Sequence, residues 1–180
     1  TQLKWKSGDQ ALLRLASDGS SYTASPIRPD QTSSLFLFTV KAPGAATVVS
    51  YWPTDAPVTV GNGSIGLDIP TAQDGTVTPL LIGADTQALS SYEGCAITLR
   101  QFPALMMISI ARGNYTVESV DIRGNAGENI AGHIAIDAAT WNFTASDATV
   151  RVTLPTPQSC ALDGITVAAQ VAPVTLAQGY

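Results

Sequence analysis

Reversal signals recur so often along this chain that no long helix fits between them. Asp18-Gly19, Gly61-Asn62-Gly63, Asp74-Gly75, Gly113-Asn114 and Asp163-Gly164 are turn sequences, and Pro26, Pro29, Pro43, Pro53, Pro57, Pro70 and Pro79 cut the first half into short pieces. No stretch of about 12 or more residues keeps a helical apolar period between them. What survives is a series of short runs with two-residue alternation. Ala148, Val150, Val152 and Leu154 alternate with Thr149, Arg151 and Thr153; Ile165, Val167, Ala169 and Val171 alternate with Thr166, Ala168 and Gln170. Side chains alternate across a strand, so these are half-buried strands. Further strands are expected at 10–16, 21–24, 35–40, 47–52, 64–69 and 94–101. The apolar run Ala104 to Ala111 (ALMMISIA) has the length of a buried strand. Alternation favours antiparallel sheets, because strands of a parallel sheet are apolar on both faces. The expectation is an all-β antiparallel β-sandwich, read as one domain over 1–180.

The segment Tyr115 to Asp137 carries the clearest local detail. Ile130, Gly132, Ile134 and Ile136 share one face, while Ala131, His133, Ala135 and Asp137 share the other. In the first arm, Tyr115 and Val117 are out of phase with Val120 and Ile122, as a bulge near Glu118 or Ser119 would produce. Between the arms, 124–129 (GNAGEN) tolerates positive φ, which tight reversals need. The segment therefore reads as a hairpin whose two strands pair.

Composition excludes several partner classes. The net charge is −5, and the nine Lys and Arg are scattered. Phosphate binding needs a concentrated cationic patch, so no nucleic-acid partner is expected. The one basic pair, Lys4 and Lys6 around Trp5, reads as an edge strand blunted by lysines. Charged residues are 13% of the chain, against about 25% in typical soluble domains, a low-charge surface common in extracellular β proteins. No apolar run approaches the roughly 20 residues of a membrane-spanning helix. The start, TQLKWKSGD, is polar, so the chain is either cytosolic or has lost its leader.

Catalytic and metal-binding patterns are not found. His133, the single histidine, lies on an outer strand phase, and Asp137 four residues on is about 13 Å away by strand rise, beyond hydrogen-bond reach. Asp18, Asp74 and Asp163 each precede a glycine, a role that turn chemistry explains. There is no Gly-x-Ser-x-Gly elbow, calcium loop, ligand cluster or phosphate loop. No catalytic, metal or cofactor residue is assigned, and no enzyme is expected. Cys95 and Cys160 match no zinc or redox spacing. Two readings stand for them: one disulfide if the protein is exported, or two small buried thiols. The sequons at Asn62, Asn114 and Asn142 are expected from chance in a Thr/Ser-rich chain. Trp5, Trp52 and Trp141 are the candidates for a sugar-stacking platform, and Trp52 and Trp141 are carried forward as glycan contacts.

Several segments, in order, resemble the fimbrillin-like proteins of Bacteroidales, the subunits and relatives of their surface fimbriae. They are Trp5-Lys6-Ser7-Gly8-Asp9, Tyr51-Trp52-Pro53, Ile69-Pro70-Thr71-Ala72-Gln73 and Pro79-Leu80-Leu81-Ile82-Gly83-Ala84. Phe102-Pro103-Ala104-Leu105 then leads to the strand, Gly-Asn-x-Gly-Glu and Ile-Ala-Gly pattern of 117–132, and Ala172 to Tyr180 (APVTLAQGY) closes the series. The resemblance implies a transthyretin-like, Greek-key β-sandwich, export by a lipoprotein route with the leader removed, and a place at the outer membrane or cell surface. It also implies a non-enzymatic role in fimbrial assembly, anchoring or adhesion, with other fimbrial subunits or a surface ligand as partners. Assembly in such proteins proceeds by strand donation. The chain would correspond to the N-terminal domain of a longer two-domain protein. A carbohydrate-binding β-sandwich module at the same kind of surface is the alternative.

Overall fold

The computed structural model describes residues 4–15, 19–39, 44–61, 63–89 and 96–173. Among these residues fourteen strands follow one another: β1 Ala11–Leu15, β2 Ser21–Ala24, β3 Gly44–Trp52, β4 Thr59–Val60, β5 Ser64–Ile69, β6 Ala72–Gln73, β7 Leu81–Leu89, β8 Arg100–Gln101, β9 Ala104–Ile110, β10 Thr116–Arg123, β11 Ala131–Asp137, β12 Phe143–Asp147, β13 Thr149–Ser159 and β14 Ile165–Val171. The fold is all-β, with no helix among the described residues. The pairs β1-β2, β1-β3, β3-β7, β7-β8, β4-β5, β10-β13 and β9-β14 are antiparallel, whereas β13 pairs with β6 in parallel.

The chain divides into two compact units, each assembled from three separate segments. The first comprises Thr1–Gly66, Leu80–Gln101 and Ile136–Asn142; the second comprises Leu67–Pro79, Phe102–Ala135 and Phe143–Tyr180.

The first unit is built on a five-stranded sheet in the order β2-β1-β3-β7-β8. Leu13 and Leu15 form a buried cluster against which Tyr22, Phe38 and Ile97 pack. Residues 34–39 alternate in exposure as a strand does, but they do not join a ladder: Phe36 stacks edge-on against Trp5 with centroids 4.8 Å apart, and Leu37 is 79% exposed. Over 35–39 the expected strand is thus replaced by a segment held by its aromatics and by the Ile27 amide, which donates to the Leu35 carbonyl, and Val40 lies outside the described residues. Around Trp5 the backbone is likewise not a strand. Trp5 exchanges backbone hydrogen bonds with Gln31 and Asp30, and Lys6 reaches Asp30 at 3.7 Å. Of the strand expected at 94–101, residues 94 and 95 lie outside the described residues, and of the remainder only β8 is a strand.

The second unit holds a three-stranded sheet, β10-β13-β6, and a two-stranded sheet, β14-β9. β9 leads into β10 and β13 leads into β14 through short connectors that bond to each other: the Gly113 amide donates to the Cys160 carbonyl, and the Cys160 amide donates to the Tyr115 carbonyl. Thus β9-β10 and β13-β14 form one long antiparallel ribbon, interrupted at 111–115 and 160–164. The register does shift near Glu118, but the extra residues lie on β13 rather than β10: Val117 pairs with Gln158 and Ser119 with Thr153.

The hairpin expectation is corrected. β10 pairs with β13, whereas β11 belongs to the strand set β12-β11-β5-β4. The glycine-rich link does not close a hairpin because its ends bond elsewhere. The Gly124 amide donates to Ala148 and the Ile130 amide donates to Asp147, so the link crosses between ladders. Gly132 explains how β11 then accommodates β12. Its φ is 77°, and a Cβ there would meet the Ser146 hydroxyl and the Asp147 carboxylate. Gly127 has a φ of 85° with open space around it. Gly127→Ala should therefore cost about 1 kcal/mol from backbone strain alone, and Gly132→Ala about 1–3 kcal/mol, because strain and displacement of Ser146 add. Urea denaturation of the two variants checks this; equal losses would show that the Ser146 and Asp147 contacts carry no weight.

Candidate functional site

The second unit is unevenly covered. On β14, Val167, Ala169 and Val171 are buried at 0–4% exposure. Their register partners on β9 are Ile108, Met106 and Ala104, which share the same face but are only half-buried. The same gradient runs across the other sheet. Val150 and Val152 on β13 are fully buried, whereas their partners Ile122 and Val120 on β10 are half-buried. Two strands that lie at sheet edges among the described residues thus present inner faces that are only partly covered. This corrects the expectation for 104–111: the run is a strand of buried-strand length, but Leu105 is 45% and Met107 58% exposed.

Between them lies a groove of about 400 Å³, lined by residues 104–107 of β9, Ile122 and Arg123 of β10, Ile130, and residues 171–173. Arg123 is the only charged side chain in the lining. The two edges of the β14-β9 sheet differ. On β14, the Gln73 side chain imitates a neighbouring strand: the Gln170 amide donates to Gln73 Oε1 at 2.8 Å, and Gln73 Nε2 donates to the Gln170 carbonyl at 2.8 Å. β9 pairs only with β14 among the described residues. Among the described residues its other edge has no strand partner, so N–H and C=O groups lie there beside apolar side chains, the arrangement that accepts an added strand.

The sequence-derived candidates lie elsewhere. Trp52 ends β3 half-buried, next to Pro53. Trp141 is also half-buried, with φ 62°, and the Arg100 guanidinium carbon lies 5.2 Å from its ring centroid. The described aromatic pairs, Trp5–Phe36 and Phe102–Phe143, include neither residue, so no stacked platform joins Trp52 to Trp141. Cys160 is fully buried with a free thiol, and Cys95 lies outside the described residues. Asn62 likewise lies outside them.

His133 is exposed on β11, on the outer phase expected. Its partner is Asp68 of β5, with Nδ1 and Oδ1 2.9 Å apart, not Asp137. The two residues are 65 positions apart, and no local spacing signals the pair. Ser146 adjoins them, but its hydroxyl accepts from the His133 backbone amide and donates to Asp147 Oδ2 at 2.5 Å. A nucleophilic serine must hand its proton to the imidazole; here the hydroxyl hydrogen points to a carboxylate. The His–Asp side chains are 63% and 72% exposed, where an ion pair contributes about 0–1 kcal/mol. Among the described residues, no group of three or more His, Cys, Asp or Glu is placed to hold a metal ion.

Asp137 organises the turn that displays Trp141. Its Oδ1 accepts from the Thr140 amide at 2.7 Å, the Thr140 hydroxyl at 2.8 Å and the Ala139 amide at 3.1 Å. The Thr140 amide, and then its hydroxyl, hold the carboxyl below its ordinary value of 3.8. A depressed folded-state value means that the turn's stabilisation is present above pH 3.8 and lost as pH falls through the lower folded value. Acid titration followed by the Thr140 amide resonance should show the turn loosening only below that point. Asp137→Asn should remove the transition, and a transition unchanged in that variant would contradict the assignment.

Comparison of the chain with protein-family models, with curated proteins and with solved structures finds no match.

Proposed function

We propose that the chain is a non-enzymatic structural or adhesive subunit of a surface fimbria, and that its second unit accepts a β-strand from a neighbouring subunit. The observation that carries this reading is the burial gradient. Val150, Val152, Val167 and Ala169 are sealed while their ladder partners on β10 and β9 are half-open. An inserted strand pairs with the free edge of β9 and completes the cover of Met106, Ile108, Val120 and Ile122. Each of these side chains, already half-buried, contributes about 1 kcal/mol on full burial. The resemblance to the Bacteroidales fimbrillin-like proteins agrees with this use of an open edge, and with export and a place at the outer membrane surface.

The test is assembly. Surface preparations of cells producing the protein should contain filaments or heat-sensitive ladders. Met106→Lys and Ile122→Lys should each abolish them while leaving the thermal unfolding midpoint within a few degrees, because both residues are half-open. Ladders that persist in both variants would remove the groove from assembly. A protein that forms no higher-order species in its native surface preparation would remove the fimbrial reading altogether.

A second reading, a carbohydrate-binding module, is favoured by Trp141 alone. A bulky residue at positive φ carries about 1–3 kcal/mol of strain, and such strain concentrates at binding sites. Specific binding on a glycan array, lost in Trp141→Ala without unfolding, would support this module; an array without a specific hit would remove it.

A further inference from the structure

The groove's single charge constrains what fills it. Arg123 ends β10 at the lip of an otherwise apolar slot. Among the described residues its guanidinium makes no hydrogen bond or ion pair. Acidic groups near it in the chain or on the paired strand are already engaged. Asp121, two residues earlier on β10, forms a two-pronged pair with Arg151 of β13 at 2.8 and 3.3 Å. In the following loop, the Glu128 carboxylate accepts from the Ala126 amide at 2.7 Å, which lowers its proton affinity. Asp147, whose backbone bonds that loop, takes the Ser146 hydroxyl. One arginine of the β10-β13 ladder is thus satisfied within the sheet; the other, exposed in the same strand phase as Asp121, borders the slot without a partner among the described residues.

We propose that the strand accepted by this groove carries a carboxylate, an Asp or Glu side chain, at the position that reaches Arg123. The inference rests on the strand-accepting reading above and adds the partner's chemistry to it. A strand lying in the groove excludes water from one side of the guanidinium. An apolar residue there would leave five donors partly desolvated without acceptors, and a lysine would place like charges together at the lip. A carboxylate forms a forked, charge-assisted hydrogen bond instead, and it fixes how far the strand slides in. Because strand side chains alternate, a one-residue slip would move the carboxylate to the opposite face. Arg123 therefore selects both the partner and its register.

The probes are capped eight-residue peptides of alternating Val and Thr carrying one Asp, Lys or Asn. The variable residue is placed at the N-terminal end in one set and at the C-terminal end in another, since the direction of insertion follows from which set binds. Binding is read by fluorescence anisotropy on the whole chain. The Asp peptide of one set should bind roughly tenfold or more tighter than its Lys counterpart, with Asn between, as one charge-assisted hydrogen bond implies. The preference should shrink at high salt. Arg123→Glu should reverse the order, so that the Lys peptide binds best; circular dichroism confirms that the variant is folded, and the wild-type series stands without it. Equal binding of the Asp, Lys and Asn peptides to the wild-type protein would overturn the role of Arg123 while leaving the groove as a strand acceptor. Failure of all peptides, neutral ones included, would overturn the strand-accepting groove and this inference with it.

Discussion

Backbone pairing is the constraint on which the structure depends. Turn residues deny the chain any long helix, so buried N–H and C=O groups find partners across strands. Sheets built this way end in edges, and an edge strand must be capped, hidden or used. The second unit shows two of these outcomes on one two-stranded sheet. The β14 edge is capped by the Gln73 carboxamide, which supplies the donor and acceptor of a missing neighbour. The β9 edge has no such substitute among the described residues, and it lies beside the apolar groove. Among the described residues, one edge is capped by a dedicated side chain and the other is not, so the two edges differ in kind.

Much of the fold was legible from local pattern. The strand at 64–69, the register shift between Val117 and Ser119 and the strand at 165–171 all follow from two-residue alternation and its slips, which are properties of a few neighbouring residues, although which strand holds the extra residues of the shift is not. The errors came where partners had to be chosen. The glycine-rich link at 124–129 looks like a hairpin turn, yet its amides bond to Asp147 and Ala148. The link's own residues carry no mark of that choice. Likewise 34–39 alternates like a strand but is held by Phe36 and Phe38 packing rather than by a ladder.

The groove was not legible for the same reason. Leu105, Met106 and Met107 read as buried because they are apolar; whether an apolar residue is covered depends on how many strands flank it, and that is set by topology. The signal available in the sequence was the arginine that closes β10 directly after Ile122, and it acquires meaning only once Asp121 is seen to be taken by Arg151. His133 followed a similar course: its outer phase was readable, whereas its partner Asp68 came from a strand far away in sequence.

The central claim is that β9 is an open edge awaiting a strand, and amide hydrogen exchange resolved along β9 tests it most directly. On the isolated chain, alternate amides of 104–110, those directed away from β14, should exchange much faster than those bonded to β14. Adding a strand partner should slow the fast set alone. Uniform protection of both sets in the isolated chain, at the level of β14, would mean that the edge is already closed, and would contradict the account.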